Sequence, residues 1–273
     1  LHACYIHPIL YYKITNITKG ARLMKAYKVH EYGDAAKFIE SEVNKPGATS
    51  GHIVIEVKAT SLNPVDHKIL KLDLEINPAL PATLHMDVAG VIVEVGDGVT
   101  DFKIGDEVYG CAGGLQGRAG NIEGALADFM LADSSLIALK PKSLSFSEAA
   151  ALPLVSITAW EGLFDRAHIN TDDHVLIHAA AGGVGHIAIQ LAKQHGARIA
   201  TTVSSEDKAK IAKDLGVDDI INYRDEAVED YRQRLTHGKG FDVVFDTIGG
   251  GNLDKSLKAA RVSGQVISIV GNN

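Results

Sequence analysis

The densest chemical signal in the 273-residue chain is Val175-Leu176-Ile177-His178 running into Ala179-Ala180-Ala181-Gly182-Gly183-Val184-Gly185, then into a stretch carrying Ile187, Ile189, Leu191 and Ala192. A glycine motif alone says little. Between an apolar strand and an amphipathic helix, however, it turns the unsatisfied amides of the helix N-terminus toward an anion, and a dinucleotide pyrophosphate suits that cradle. The alternative is a turn used only for packing. Ala180-x-Gly182-x-x-Gly185 has Ala where the common pattern has its first glycine, so the turn must tolerate one methyl group. An acid about 20 residues on, at the tip of the second strand, would bind the ribose 2′-hydroxyl of NAD. Here that strand ends Thr201-Thr202-Val203-Ser204-Ser205, the first acid is Glu206, and Lys208 follows. Hydroxyls and a cation in place of a carboxylate favour a 2′-phosphate and predict NADP(H), unless Lys208 is merely a solvated helix charge.

Other residues offer less specific chemistry. Asn63, before Pro64, presents a carboxamide that can orient a nicotinamide ring or a substrate oxygen, or can serve only a local turn. Asp66 reads as a structural hydrogen-bond acceptor, because no partner for proton transfer is visible. Tyr109, just past the Gly105-Asp106 turn, can line a pocket or pack at a barrel rim. His174 and His178 share one face of a strand but lie about 13 Å apart at about 3.3 Å per residue, too far for one ion. Cys4 and Cys111 are too few for a disulfide framework or a four-cysteine zinc site. Lys+Arg 27 against Asp+Glu 34 gives a formal net charge of -7 without a basic cluster, which argues against nucleic acid. Nowhere do about 18 apolar residues run together, so no membrane-spanning helix is predicted.

The elements that must hold these residues change character along the chain. Ile53 to Val57 and Val88 to Val95 are rich in β-branched residues and bounded by glycine, and Gly96-Asp97-Gly98 and Gly105-Asp106 are turn sequences. Residues 24 to 145 should therefore be mainly β and barrel-like. Ser145-Phe146-Ser147-Glu148 has capping-box spacing and predicts a helix starting near residue 147. From His174 onward the pattern alternates: strands over 174–178, 198–203, 219–222, 242–246 and 266–270, helices over 183–195, 206–215, 226–236 and 252–261. Such alternation predicts a parallel sheet with helices on both faces, five strands where the dinucleotide-binding version uses six.

The run from Asp172 through the glycine loop to Gln190 and Lys193 resembles, position for position, the signature of the quinone oxidoreductase and zeta-crystallin group of medium-chain dehydrogenase/reductases. Further matching stretches are Asn63-Pro64-Val65-Asp66, Asp87-Val88-Ala89-Gly90-Val91, Ala150-Ala151-Leu152-Pro153, Thr158-Ala159-Trp160 and Ile221-Asn222-Tyr223-Arg224. The resemblance implies an α/β protein with a GroES-like β-barrel catalytic domain over 24–147 and a Rossmann NADP-binding domain, a doubly wound parallel sheet, over 148–273. It also implies that Ser204, Lys208 and Tyr223 surround the 2′-phosphate and that Asn63 and Thr158 lie near the nicotinamide. A final segment beyond Asn273 that returns to the barrel is implied as well, which makes the Rossmann domain incomplete as it stands. Residues 1–23 lack the periodicity that begins at Met24 and read as a non-native or disordered leader.

Zinc-dependent relatives bind their catalytic metal with Cys, a Gly-His-Glu motif and a second Cys. Those positions fall here on Asn63, on Met86 within His85-Met86-Asp87, and on Leu154, so no metal is expected. Without a Lewis acid a conjugated acceptor is the easier substrate, since hydride addition leaves a delocalised phenolate or enolate that a few donors can stabilise. The expectation is an NADPH-dependent, zinc-independent, cytoplasmic reductase of small hydrophobic quinones or enones, oligomeric in its full-length form. Its rivals are an NADPH-binding protein without turnover and, more remotely, a zinc alcohol dehydrogenase.

Overall fold

A computed structural model describes residues 22–72, 74–117 and 120–270. Cys4 and nearly all of the leader read from the sequence lie outside them. The chain divides into two compact units, one ending at Ala150 and the other beginning at Ala151.

The first unit is antiparallel. Its elements are β1 (Leu23–Val29), β2 (Ile39–Asn44), β3 (His52–Thr60), α1 (Pro64–Lys71), β4 (Ala82–Thr83), β5 (Asp87–Val95), β6 (Glu107–Cys111), β7 (Leu115–Gly117), β8 (Gly120–Ile122), β9 (Phe129–Asp133), β10 (Ile137–Leu139) and α2 (Phe146–Ala150). A five-stranded sheet runs β10-β6-β5-β3-β9, a three-stranded one runs β2-β1-β4, and β7 pairs with β8. Ile53, Ile55, Val88, Ile92, Val108 and Met130 of the five-stranded sheet form the main core of this unit. Both β3 and β5 bury consecutive residues, Ile53 to Ile55 and Asp87 to Gly90, so both faces of the sheet are covered there. Asn63 is not a bare turn residue: with Pro64 at the first helical position it opens α1, a helix the β-rich reading of this region passed over. At α2 the capping box is formed as its spacing predicts, Ser145 N–H and Oγ both donating to Glu148 Oε2 at 2.8 and 2.7 Å.

The second unit contains α3 (Pro153–Trp160), a π-helical turn over Glu161–Arg166, β11 (His174–His178), α4 (Gly183–His195), β12 (Arg198–Val203), α5 (Glu206–Asp214), β13 (Asp219–Asn222), α6 (Val228–Thr236), β14 (Phe241–Asp246), α7 (Asn252–Ala259) and β15 (Ala260–Ser268). The five strands are parallel in the order β13-β12-β11-β14-β15. Val175 and Ile177 pack against α4 and α5 on one face, while Leu176 packs against Tyr231 and Leu235 of α6 on the other. Several boundaries depart from the sequence reading: α6 begins at Val228 and not at 226, α5 and β14 differ by one residue at one end, and the largest departures come last. The helix predicted over 252–261 stops at Ala259, and the strand predicted over 266–270 is Ala260–Ser268. Ala259-Ala260-Arg261 suits a helix locally, but Ala260 lies beside buried Phe241 and pairs with it, and a buried strand's backbone groups must find partners. An irregularity carrying Ser263 at φ +63° then restores the register at Val243 and Gln265.

Candidate functional site

In the second unit, β11 ends at His178 and the chain turns at Ala179, which takes the left-handed conformation, φ +58°. This accounts for the missing first glycine of the motif. The demanding conformation falls on Ala179, while Ala180 is fully buried with its methyl in the core. Gly182 N–H closes the turn on the Ala179 carbonyl at 2.9 Å, and Gly182 stands at the N-cap of α4 with no side-chain cap bond. The amides of Gly183, Val184 and Gly185 have no intrahelical acceptor and remain available to an anion. A Cβ on Gly185 would overlap the Ala179 carbonyl oxygen, and one on Gly182 would come within 3.2 Å of it. The turn and the helix are in the close approach that a pyrophosphate cradle requires, so these residues fit a dinucleotide.

The strand tips beside this cradle carry the other cofactor candidates. Val203 pairs with Asn222, so Ser204 and Tyr223 leave neighbouring strands side by side, Tyr223 N–H donating to Val203 O at 3.2 Å. Ser205 caps α5, its hydroxyl oxygen 3.5 Å from the Lys208 amide, which puts the exposed Lys208 side chain in the first helical turn. Glu206 and Asp207 share that turn. Thr158 lies in α3, which packs on α4, and its hydroxyl donates to Leu154 O at 2.8 Å.

A residue the sequence reading considered only as half of an excluded metal pair is central here. His178 is 2% exposed, its Nδ1 lies 3.0 Å from Thr202 Oγ1, and its Nε2 has no hydrogen-bond partner among the described residues. Burial pulls its imidazole down to about 4, so the ring is neutral near pH 7. It borders a cavity of about 510 Å³ between the strand tips and α6 and α7, whose walls include Thr202, Tyr223, Ile248 and Lys255. The available signal was a histidine following the apolar run Val175-Leu176-Ile177 directly before a glycine turn.

In the first unit a compact polar cluster surrounds Asn63, which is 5% exposed. Asn63 Nδ2 donates to Asp87 Oδ2 at 2.8 Å and to Ser61 Oγ at 3.4 Å, and Ser61 Oγ donates to the same Asp87 oxygen at 2.7 Å. Asp66 Oδ2 accepts from Asn63 N–H at 2.7 Å, the structural role read from the sequence, and burial pushes this carboxyl up. Burial likewise pushes the His85 imidazole down. Cys111 pairs across from Asp87, and burial, then the Asp87 charge, push its thiol up to about 12, leaving it protonated and unreactive. Met86, at the zinc-ligand position, is 7% exposed. Among the described residues no three His, Cys, Asp or Glu side chains form a group able to hold a metal ion. Tyr109, two residues before Cys111, packs with Ala59, Ala89, Leu144 and Phe146 in an apolar patch beneath α2.

Residues 49–142 match the alcohol dehydrogenase GroES-like domain family, and residues 183–272 match the zinc-binding dehydrogenase family. The chain is 40% identical to 2-methylene-furan-3-one reductase of Solanum lycopersicum over 91% of its own length and 62% of that protein's. It is 37% identical to the chloroplastic NADPH-dependent alkenal/one oxidoreductase of Arabidopsis thaliana, covering 94% of this chain and 66% of that one. With the quinone oxidoreductase of Rattus norvegicus the figures are 34%, 92% and 74%. It thus spans slightly less than two thirds of the first two relatives. Among solved structures, an alcohol dehydrogenase superfamily protein from Novosphingobium aromaticivorans superposes with a TM-score of 0.84 at 39% identity, over 91% of this chain and 73% of that one. A mycobacterial protein complexed with NADPH gives 0.77 at 31% identity, over 89% and 73%.

Proposed function

Because the chain belongs to the quinone oxidoreductase-like group of the medium-chain dehydrogenase/reductase superfamily, we propose that it is an NADPH-dependent reductase of quinones or enones. The observation that carries the reading is the cradle at Ala179–Gly185, with Ser204, Lys208 and Tyr223 gathered at the tips of the two adjoining elements. The first-turn amides of α4 hold the pyrophosphate, and Gly182 and Gly185 keep side chains out of its way. Lys208 and the Ser204 hydroxyl meet the 2′-phosphate as donors, Tyr223 flanks it, and Thr158 serves the nicotinamide end. When bound, the cofactor supplies the hydride, and the acceptor takes up hydride and a proton. The chain's own part is to bind and orient. The positions of Asn63, Met86 and Leu154 offer no zinc ligand set, which supports a conjugated acceptor whose negative charge can delocalise. The names of the tomato, Arabidopsis and rat relatives support the same substrate class.

Fluorescence titration with NADPH and NADH, together with NADPH oxidation by a simple quinone and a simple enone, tests the reading. One charge-assisted contact to the 2′-phosphate is worth about tenfold in affinity, so NADPH should bind about tenfold tighter and Lys208→Glu should abolish or reverse the difference. Equal affinity for the two cofactors would remove the NADP assignment. Binding without oxidation of NADPH by either acceptor would leave a nucleotide-binding protein instead.

A further inference from the structure

The loop between β14 and α7 is held by the last residue of β14, Asp246, which is fully buried. Its Oδ1 accepts from the Ile248 and Gly249 amides, both at 2.9 Å, and from Asn252 Nδ2 at 3.2 Å, while Oδ2 accepts from Ser256 Oγ at 2.8 Å. These donors are all neutral, and Asn252 and Ser256 belong to α7. Burial alone would raise this carboxyl, but the hydrogen bonds from Gly249, Ile248, Ser256 and Asn252 outweigh it and hold the group below the usual carboxylate range. A second tether, Thr247 Oγ1 donating to the His178 carbonyl at 2.9 Å, joins the loop to the strand end directly before the cradle. Beyond the ties the chain turns through Gly249 and Gly250, both left-handed. So held, Ile248, 45% exposed, stands in the wall of the cavity that Thr202 and Tyr223 also line.

We propose that Asp246 is a positioning residue for the cofactor: its grip on the Ile248 and Gly249 amides fixes the loop as one wall of the cavity, and so sets how tightly the adenosine end of the dinucleotide binds. Cradle, loop and cavity all lie in the second unit. Tyr223 borders both the cavity and the proposed 2′-phosphate position, and the base hangs from the ribose that carries this phosphate, so the cavity is where the base enters. The claim rests on the proposed function for the identity of the ligand. Asp246 acts through the loop and not by its charge, which would repel the phosphates. Truncating it leaves two amides without their acceptor and frees the loop to seek others. Replacing it by Asn can keep every bond. The carbonyl oxygen still accepts at the Oδ1 position, and Ser256 Oγ, which has the Asn252 carbonyl 3.1 Å away, can turn its proton there and accept from the new amide nitrogen.

The test is titration of the full chain with NADPH and with adenosine 2′,5′-bisphosphate, which carries the base, the ribose and the 2′-phosphate but no nicotinamide. Asp246→Ala should weaken both by about tenfold and raise KM for NADPH by the same factor, with kcat at saturating NADPH within about twofold. Asp246→Asn should bind both within about threefold of the unsubstituted protein. Unchanged affinity in a folded Asp246→Ala would overturn the proposal, and so would a tenfold loss in Asp246→Asn, because the carboxylate charge would then be what matters. Should Asp246→Ala fail to fold, two measurements decide in its place. The Ile248 and Gly249 amides of the ligand-free protein should exchange with solvent at least about tenfold more slowly than free amides. Ile248→Ala, at a half-exposed position, should weaken both ligands by about fivefold. Free exchange of the two amides, or unchanged affinity in Ile248→Ala, would sink the claim. If neither ligand binds the unsubstituted protein, the proposed function fails instead, and the exchange rates still report whether Asp246 holds the loop.

Discussion

His178 shows how one residue's place governs its chemistry. The parallel register sets it beside Thr202, whose hydroxyl takes up Nδ1, and its burial keeps the ring neutral. Its proton affinity in the unfolded chain is ordinary, near 6.5, and in the folded chain falls to about 4. Above about 6.5 the ring is neutral in both states, so this residue subtracts nothing from stability. As the pH falls from there through about 4 the unfolded chain takes the proton first, and up to about 3 kcal/mol is lost. Urea unfolding followed from pH 7 to pH 4 should therefore show a shallower loss of stability in His178→Gln than in the unsubstituted protein. Parallel curves would mean that His178 is protonated equally in both states. The sequence revealed that His174 and His178 share a strand face, because that follows from a period of two. It concealed what each one touches: Asp219 of β13 near His174 and Thr202 of β12 beside His178 come from other strands, and only register brings them there.

At the scale of elements, α4 was legible to the residue, and the reason is local. Its start is a glycine turn in which Gly182 caps the helix, and its end is Gly196 in the left-handed conformation at φ +99°. The same glycines support a prediction. Gly185→Ala places a methyl against the Ala179 carbonyl, which belongs to a turn held by β11 and cannot withdraw freely. The cost should be about 1 to 3 kcal/mol, seen as a lower melting temperature, together with a marked loss of NADPH affinity as the helix shifts away from the turn. Gly183→Ala meets only the Val155 side chain at 3.2 Å and should cost less on both counts. Equal melting and equal affinity for Gly185→Ala and the unsubstituted protein would refute the close-approach argument. Elements without such local punctuation were less legible. Helix α1 carried its signals, Asn63, Pro64 and Asp66, but only eight residues of helix in a β-rich region. The start of β15 depends on pairing with Phe241, which no local propensity encodes.

At the scale of the whole chain, the order of the parallel sheet follows from which strands can afford to be buried. Strands β11, β12 and β14 are buried along nearly their whole length and occupy the interior, whereas β13 and β15 are more exposed and lie at the edges. The alternation of elements was visible in the sequence; the interior strands could be inferred from their apolar runs, but the pairing partners could not. Charge also acts at this scale. The chain carries a formal -7, so its overall field opposes a polyanionic ligand, and affinity must come from local groups at the site, the helix amides and any nearby cation. Salt screens both effects. The long-range repulsion is felt equally by NADPH and NADH, apart from the extra phosphate, while under the proposed assignment a contact between Lys208 and the 2′-phosphate would exist for NADPH alone. With a Debye length of about 10 Å at 0.1 M, a contact at hydrogen-bond distance outweighs the more distant net charge. Raising ionic strength from about 0.05 to 0.5 M should therefore weaken NADPH more than NADH, shrinking the ratio of their affinities by about threefold, the scale of an exposed ion pair. In Lys208→Ala the ratio should start lower and change little with salt. A ratio that holds constant in the unsubstituted protein, or grows, would mean that net repulsion and not the local cation sets how this chain tells the two cofactors apart.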